Sequence, residues 1–310
     1  MAFTAADVKK LREMTNVGMM DCKKALTEAD GDFDKAIELL REKGLAKAAK
    51  KADRIAAEGV VCATVCDECG VGAVIEVNSE TDFVAKNADF QQFVSDLAGV
   101  VIKDVPADVE ALKACKMGDL TVQEVLQEKV LTIGENIQIR RFERFDDSTV
   151  NVAYTHMGGV IGVLVGLQVS DNLKDNATVK ELGKDIGMQA AAMNPSFLDK
   201  SDVDEATLAK EKEILLVQAL EENKNAAKPK PEQIIHKMVE GRIGKYYEEN
   251  CLLQQAFVKE NKVSVEQHIA AVAKELGGEI KLAKCVRFEK GEGIEKKQDD
   301  FAAEVASMAK

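Results

Sequence analysis

The sequence predicts an α+β protein in which antiparallel sheets carry helices on one face. Three observations lead to this class. Helical periodicity opens the chain, a strand, helix and strand pattern occurs twice, and two long charged helices interrupt the second copy. With 310 residues, of which 46% are apolar, the chain can bury a sizeable core and hold two or three domains.

Residues 1–54 predict a three-helix module followed by a basic helical linker. Helices are expected over 5–14, 19–27 and 32–41, with Gly44 ending the third. The apolar residues at helical spacing predict a small shared core of Leu11, Met14, Leu26, Ile37 and Leu40. The Gly31-Asp32-Phe33 pattern resembles a ubiquitin-associated (UBA-like) module. About 40 residues give only a marginal free-standing core.

Beyond residue 57 the chain contains an internal duplication. The apolar stretch 71–77 aligns with 161–167, and 139–143 aligns with 285–289. The helix faces that correspond are Phe90, Phe93 and Leu97 in the first copy and Val179, Leu182 and Ile186 in the second. Each copy therefore predicts a hairpin, a helical region and a returning strand, over 55–145 and 146–290. Whether the copies pack together stays open.

An insertion at about 203–249 of the second copy predicts an antiparallel, coiled-coil helical hairpin. Two amphipathic helices are expected over 204–222 and 231–249, joined by a turn-like link. Their apolar faces contain Leu208, Leu215 and Ala219 on one helix and Ile235, Met238 and Val239 on the other. This protruding arm could pair two copies of the chain. Residues 291–310 predict a C-terminal helical module with a helix over 299–308.

The segment Thr81-Asp82-Phe83-Val84 follows an apolar strand and predicts a loop before the next helix. A large aromatic residue beside a carboxylate is unusual there, because loops run over the surface and Phe normally leaves water. Phe83 could fold back as a hydrophobic staple or contact a partner. The four residues alone favour the staple.

Charge and composition argue against several function classes. The chain has 42 Lys and Arg against 54 Asp and Glu, a formal charge of -12, which disfavours direct binding to nucleic acid. Its longest apolar run, 158–169, is too short to span a bilayer and predicts a buried strand. The first helix begins without a leader pattern, and seven scattered cysteines suit a reducing compartment. We expect a cytoplasm, either bacterial or that of an organelle matrix.

The sequence contains no recognisable motif for bond-making chemistry. Cys62, Cys66 and Cys69 lack a fourth ligand at zinc-site spacing, so we predict no metal and no cofactor. The glycines at 241 and 244 do not form a phosphate-binding loop. The histidines are far apart and lie in no catalytic pattern: His156 in a predicted hairpin turn, His236 and His268 on predicted helix surfaces. A binding protein is therefore favoured over an enzyme, although a thiol- or metal-dependent enzyme stays an alternative.

Five blocks in order resemble the translation elongation factor Ts family. They are TNVGMMDCKKAL at 15–26, TDFVAK at 81–86, IGENI at 133–137, KMVEGR at 237–242 and GEGIEK at 291–296. With the duplicated core and the helical arm, the resemblance covers essentially the whole chain. It implies a guanine-nucleotide exchange factor that binds elongation factor Tu in its GDP form and promotes GDP release.

The resemblance also implies functional residues. Asp82 and Phe83, within the segment Thr81 to Val84, are expected to enter the partner's G domain and disturb its magnesium site. Further partner contacts are implied at Arg12, Met19, Met20, Ile133, Gly134, Glu135, Asn136, His156 and Phe301. The chain departs from the usual family pattern at Val160, where a basic residue is usual, and at Asn16-Val17. The first departure leaves the contact of His156 open.

One alternative function belongs to a different class. The three-helix module of residues 1–54 could make the chain an adaptor that binds ubiquitin or another small domain. Met19 and Met20 permit this function, because exposed methionines repack readily against a partner. It leaves the duplicated core unexplained.

Overall fold

The computed structural model describes residues 3–15, 17–225 and 230–295, and it combines helices with antiparallel sheets. The predicted α+β class is confirmed at this level. The predicted domain boundaries, the UBA-like character of the first module and the coiled-coil character of the arm stay predictions.

Three helices open the chain: α1 (Ala5–Thr15), α2 (Met19–Glu28) and α3 (Phe33–Lys51). Leu11 and Leu26 are fully buried between them, and Leu40 is nearly so. Met14 was expected in this core, but its side chain is 57% exposed. That expectation was wrong because Met14 lines an open groove together with Ile37 and Leu40 of α3 and is not buried in the core.

The helix α3 does not end at Gly44, as the sequence predicted, but runs on to Lys51. A helix-ending glycine takes a left-handed conformation, and Gly44 is not among the residues with positive φ. A Cβ at this position would lie 3.5 Å from Cδ2 of Leu131, on the later helix α7 (Val122–Ile133). Gly44 therefore allows α3 to lie close against α7 within a continuous helix.

The two halves of the core have the same order of elements. The first contains β1 (Glu58–Val65), β2 (Gly72–Ser79), α4 (Asp82–Ala85), α5 (Ala88–Asp104), α6 (Val109–Ala114), β3 (Lys116–Met117), β4 (Leu120–Thr121), α7 and β5 (Gln138–Phe145). The second contains β6 (Val150–His156), β7 (Ile161–Val169), α8 (Ala177–Met193), α9 (Glu205–Lys224), α10 (Glu232–Asn250), β8 (Ala256–Phe257), β9 (Glu260–Ser264), α11 (Val265–Leu276) and β10 (Ile280–Glu289). Their sheets have the orders β1-β2-β5 and β6-β7-β10, all antiparallel.

The repetition extends further than the sequence comparison indicated. Each copy also has a small hairpin followed by a helix with a capping box, formed by Thr121 with Glu124 in one and by Ser264 with Gln267 in the other. Both helices end at a left-handed glycine, Gly134 or Gly277. The duplicated unit is therefore a strand hairpin, a helix, a second hairpin, a capped helix and a returning strand.

The two sheets pack against each other through the faces that do not carry helices. Val61, Val74 and Phe145 of the first copy form one buried cluster with Leu164 and Phe288 of the second. Glycines make the approach close, since a Cβ on Gly162 would lie 2.5 Å from Cγ1 of Val61. The layers are thus helix, sheet, sheet and helix, and the question of contact between the copies is answered.

A buried charge connects the two copies at one edge. Glu76, in the middle strand β2, has no exposed surface and accepts hydrogen bonds from Arg140 at 2.9 Å and Arg141 at 2.6 Å. It also accepts the N–H of Gly291 at 2.7 Å, from the segment that follows β10. The carboxylate is therefore paired and hydrogen-bonded, as a buried charge requires.

The helices α9 and α10 lie side by side as the predicted antiparallel pair, with Ala219, Ile235 and Val239 buried between them. Arg242 pairs with Glu222 across the two helices. Residues 226–229 of the predicted link lie outside the described part of the chain. The predicted C-terminal helix over 299–308, with Phe301, also lies outside it.

Candidate functional site

The segment 81–84 begins a short helix and is not the loop that the sequence predicted. Thr81 is the N-cap of α4, and its hydroxyl oxygen accepts the N–H of Val84 at 3.5 Å. Asp82 lies in the first turn, where a negative charge is favourable, and pairs with Lys86 one turn on at 2.7 Å. A capping threonine followed by an acid was the local signal for this helix.

Glu135, about 54 residues further along the chain, holds the start of this helix. One carboxylate oxygen accepts the backbone N–H groups of Glu80 and Thr81, both at 3.0 Å. The other oxygen accepts the Thr81 hydroxyl at 2.6 Å. Hydrogen bonds to a charged acceptor are about twice as strong as neutral ones. The two family-like blocks at 81–86 and 133–137 are therefore joined by direct hydrogen bonds.

Asn136, the next residue, is only 4% exposed, and it forms hydrogen bonds to other parts of the same chain. Its backbone N–H donates to the Glu80 carboxylate at 2.6 Å, and its side-chain amide donates to the carbonyl of Arg54 at 2.7 Å. Lys51 donates to the carbonyl of Gly134. These bonds fix the end of the first module to the base of α4. The sequence could not indicate this bracing role, because the partners are distant in the chain.

Phe83 projects from this fixed base into solvent, with 81% of its side chain exposed. It does not fold back as a staple, so that interpretation was wrong. Phe83 and Val84 line a cleft of about 590 Å³ together with Val125 and Ile133 of α7. Thr15, at the end of α1, also lines this cleft. A large exposed aromatic on a rigid base is typical of a residue that binds in a partner's pocket.

A second exposed apolar surface lies on the first module. The side chains of Met14, Met19 and Met20 are 57%, 42% and 64% exposed. Met14 and Thr15 also line a groove of about 400 Å³ between this module and α7. Because Thr15 lines both cavities, the groove adjoins the Phe83 cleft at the end of α1. Neighbouring exposed apolar side chains are typical of interaction sites.

The remaining predicted contact residues lie in three places. Arg12 is exposed on α1 of the first module, and Ile133 is half-buried beside the Phe83 cleft. Gly134 is exposed at the left-handed end of α7. His156 ends β6 in the second copy, where its Nδ1 lies 3.2 Å from the Tyr154 hydroxyl. Phe301 lies outside the described residues.

Met157, next to His156, is exposed but was not among the predicted contact residues. Its side chain is 71% exposed and its φ is 50°, a left-handed conformation that few non-glycine residues adopt. The two glycines that follow were the signal for a tight turn here. Sequence reasoning also placed His268 on a helix surface. In fact its ring is half-buried and stacks on Phe257, with 4.2 Å between ring centroids.

The carboxylate next to Phe83 is held in its charged form. The hydrogen bond from Lys86 lowers the pKa of Asp82, so this carboxylate stays ionised beside Phe83.

In the described part of the chain, no three His, Cys, Asp or Glu side chains are grouped to hold a metal ion. Among the helices that the structure describes, none is both long and apolar enough to cross a bilayer.

Comparison with known proteins adds an independent finding. A family model described as "Elongation factor TS" matches residues 80–292. Proteins named elongation factor Ts from Clostridium kluyveri and Clostridium perfringens are each 51% identical to this chain, with 97% and 98% of both chains covered. The protein of the same name from Syntrophotalea carbinolica is 49% identical over 100% of both chains.

Proposed function

The chain belongs to the elongation factor Ts family and is a translation elongation factor, and from this premise we propose that it is a guanine-nucleotide exchange factor. It binds elongation factor Tu in the GDP form and promotes GDP release, in the cytoplasm. The observation that carries the proposal is Phe83, exposed on a helix whose base is fixed by Glu135.

Nucleotide exchange needs no bond-making residue. GDP and magnesium leave a GTPase intact, so the factor only has to bind the nucleotide-free form of its partner more tightly than the GDP form. Nanomolar nucleotide affinity corresponds to about 12 kcal/mol, which is more than one contact can offset. Several contact regions must therefore act together.

Phe83 is suited to be the central contact. Burying a Phe side chain is worth roughly 1.5–3 kcal/mol, and the three hydrogen bonds of Glu135 fix the segment before binding. A contact residue that is already ordered loses little conformational entropy when the complex forms. We propose that Phe83 enters the G domain and that the ionised Asp82 beside it disturbs the magnesium site.

The other contact regions distribute the interaction over the chain. We propose that Arg12, Met19 and Met20 bind the same G domain from the three-helix module, which is UBA-like. Further proposed contacts are made by Ile133, Gly134, Glu135, Asn136, His156 and Phe301. Because Glu135 and Asn136 already bond within the chain, their contribution is mainly to position α4. The helical arm is a coiled coil that could join two copies.

A second candidate, an adaptor that binds through the three-helix module, is favoured by the exposure of Met19 and Met20. It gives no role to Phe83. The two functions differ in one assay, because an exchange factor needs both Met20 and Phe83 to speed GDP release. An adaptor needs neither for that activity.

The decisive experiment mixes elongation factor Tu, loaded with a fluorescent GDP, with substoichiometric amounts of this protein in excess unlabelled GDP. We expect release of all the labelled GDP at an accelerated rate, because each factor molecule acts on many partners. Release that is unchanged, or limited to one partner per factor molecule, contradicts the proposal.

A further inference from the structure

The hairpin between β1 and β2 carries two cysteines that the proposed function does not use. Cys66 and Cys69 stand at its tip, separated by Asp67 and Glu68. The turn is closed by two backbone hydrogen bonds, from Gly70 to the carbonyl of Cys66 and from Cys66 to the carbonyl of Val71, both at 2.9 Å. Gly70 has a φ of 69°, which brings the chain back into β2. The tip is a defined turn.

This turn points hydrogen-bond donors at one sulfur. The backbone N–H of Cys69 donates to Sγ of Cys66 at 3.3 Å. The Cys69 thiol, together with the N–H groups of Cys69 and Glu68, lowers the pKa of Cys66, while the same contact raises the pKa of Cys69. Cys66 therefore carries the more stable thiolate, and Cys69 is the exposed thiol next to it.

The other five cysteines lack this chemistry. Burial raises the pKa of Cys251 to about 11 and that of Cys285 to about 12. Burial likewise raises the pKa of Cys22, Cys62 and Cys115. The seven cysteines all lie in the described part of the chain, and Cys66 is the one whose pKa is lowered. Reactivity is thus concentrated at the hairpin tip.

The number of available ligands decides whether Cys66 and Cys69 could bind a metal ion or form a disulfide. A protein zinc site uses three or four side-chain ligands, and the described residues supply no third ligand near these sulfurs. A disulfide needs only two sulfurs, and Cys66 and Cys69 belong to one tight turn in which the Cys69 N–H lies 3.3 Å from Sγ of Cys66. Asp67 and Glu68 are exposed, so a small molecule can reach the tip.

We propose that Cys66 and Cys69 form a reactive dithiol that exchanges with low-molecular-weight disulfides and closes into an intramolecular disulfide. The Cys66 thiolate attacks one sulfur of the small disulfide, forms a mixed disulfide and releases the first thiolate. Cys69 then loses its proton and attacks the Cys66 sulfur, which releases the second thiolate. The two protein thiols are oxidised and one small disulfide is reduced to two thiols.

This site lies far from the Phe83 cleft. The hairpin tip follows Val65 at one end of β1 and β2, whereas Thr81 follows Ser79 at the other end. An eight-residue strand spans roughly 25 Å at about 3.3 Å per residue. Oxidation of the dithiol is therefore a property separate from nucleotide exchange, and the proposal does not rest on that function.

The test uses the full-length reduced protein and glutathione disulfide, with intact mass and peptide mapping as readouts. We expect the wild type to lose two hydrogens, to keep no glutathione, and to show a bond between Cys66 and Cys69. Cys69→Ser should retain one glutathione on Cys66, because the second thiol is missing. Cys66→Ser should react more slowly than Cys69→Ser, and Cys62→Ser should behave as the wild type.

Three results of the mass measurements overturn the proposal. They are an unchanged mass in the wild type, a stable glutathione adduct in the wild type, or a disulfide that includes any of the other five cysteines. Equal reaction rates for Cys66→Ser and Cys69→Ser also contradict it, since they would show that Cys66 is not the attacking thiol. Each readout is a mass, so the result is independent of the exchange assay.

Discussion

The replacement Phe83→Ala is expected to affect nucleotide exchange much more than it affects the stability of the free protein. Because 81% of the Phe83 side chain is already exposed, truncation removes few contacts from the free protein. We expect the free energy of unfolding to change by less than about 0.5 kcal/mol, as for other surface positions. The fold should stay intact.

The effect on exchange should be much larger. If Phe83 is buried in the partner, truncation removes roughly 1.5–3 kcal/mol of apolar contact. A difference of 1.4 kcal/mol is a factor of ten, so the accelerated GDP release should slow by about tenfold to a hundredfold. Stopped-flow fluorescence of labelled GDP on elongation factor Tu measures this rate.

Phe90→Ala is the matched control, because Phe90 is the same residue type with no exposed surface. It should lower the free energy of unfolding by about 3–5 kcal/mol through the cavity that it leaves. At temperatures where this variant is still folded, it should retain exchange activity. A folded Phe83→Ala variant that releases GDP as fast as the wild type refutes the reasoning.

Three further predictions follow from described contacts. Glu135→Gln weakens the hydrogen bonds to Glu80 and Thr81. Amide hydrogen exchange over Thr81 to Val84 should therefore accelerate, and GDP release should slow. Unchanged protection of these amides from exchange would contradict the role of Glu135 in holding the start of α4. For Glu76, burial raises the pKa, but hydrogen bonds from Gly291, Asn78, Arg140 and Arg141 outweigh it, so the pKa lies below its usual 4.5. A depressed folded-state pKa gives stability that is present above pH 4.5 and is lost as the pH falls through the lower folded value. Chemical denaturation should therefore show this loss in the wild type and a flatter acid profile in Glu76→Gln, and identical profiles would contradict it. Gly162→Ala should destabilise the protein by about 1–3 kcal/mol, because the added Cβ meets Val61 at 2.5 Å. The control is Gly241→Ala, at an exposed helix position where the added Cβ meets no atom within 4 Å, and it should stabilise the protein by up to about 1 kcal/mol. Equal melting temperatures of the two variants would contradict the close sheet packing.

Much of the frame could be predicted from the sequence because it depends on local pattern. The apolar runs around Ile75 and Val165 are strands buried on both faces, and the duplication is visible in their similarity. Helical periodicity likewise located α5, α8 and both helices of the arm. These features need only the neighbours of each residue.

The misses depend on partners that are distant in the chain. Gly44 was predicted to end a helix, but in the folded chain it lies within α3 at a close approach to Leu131, which is 87 residues away in the sequence. The three hydrogen bonds of Glu135 to residues 80 and 81 could likewise be seen only in the folded chain, and its predicted contact with a partner stays a prediction. The exposure of Phe83 likewise depends on α4, which holds its ring away from the core.

The duplicated core consists of elements that both halves share and connections that differ between them. Both halves retain their strands and capped helices, whereas the connections after β2 and after α8 differ completely. The connection after β2 became a short helix that presents an aromatic ring, and the one after α8 accepted a long helical arm. The repeated scaffold thus carries a different attachment on each half, while both attachments lie outside the interior that the two sheets share.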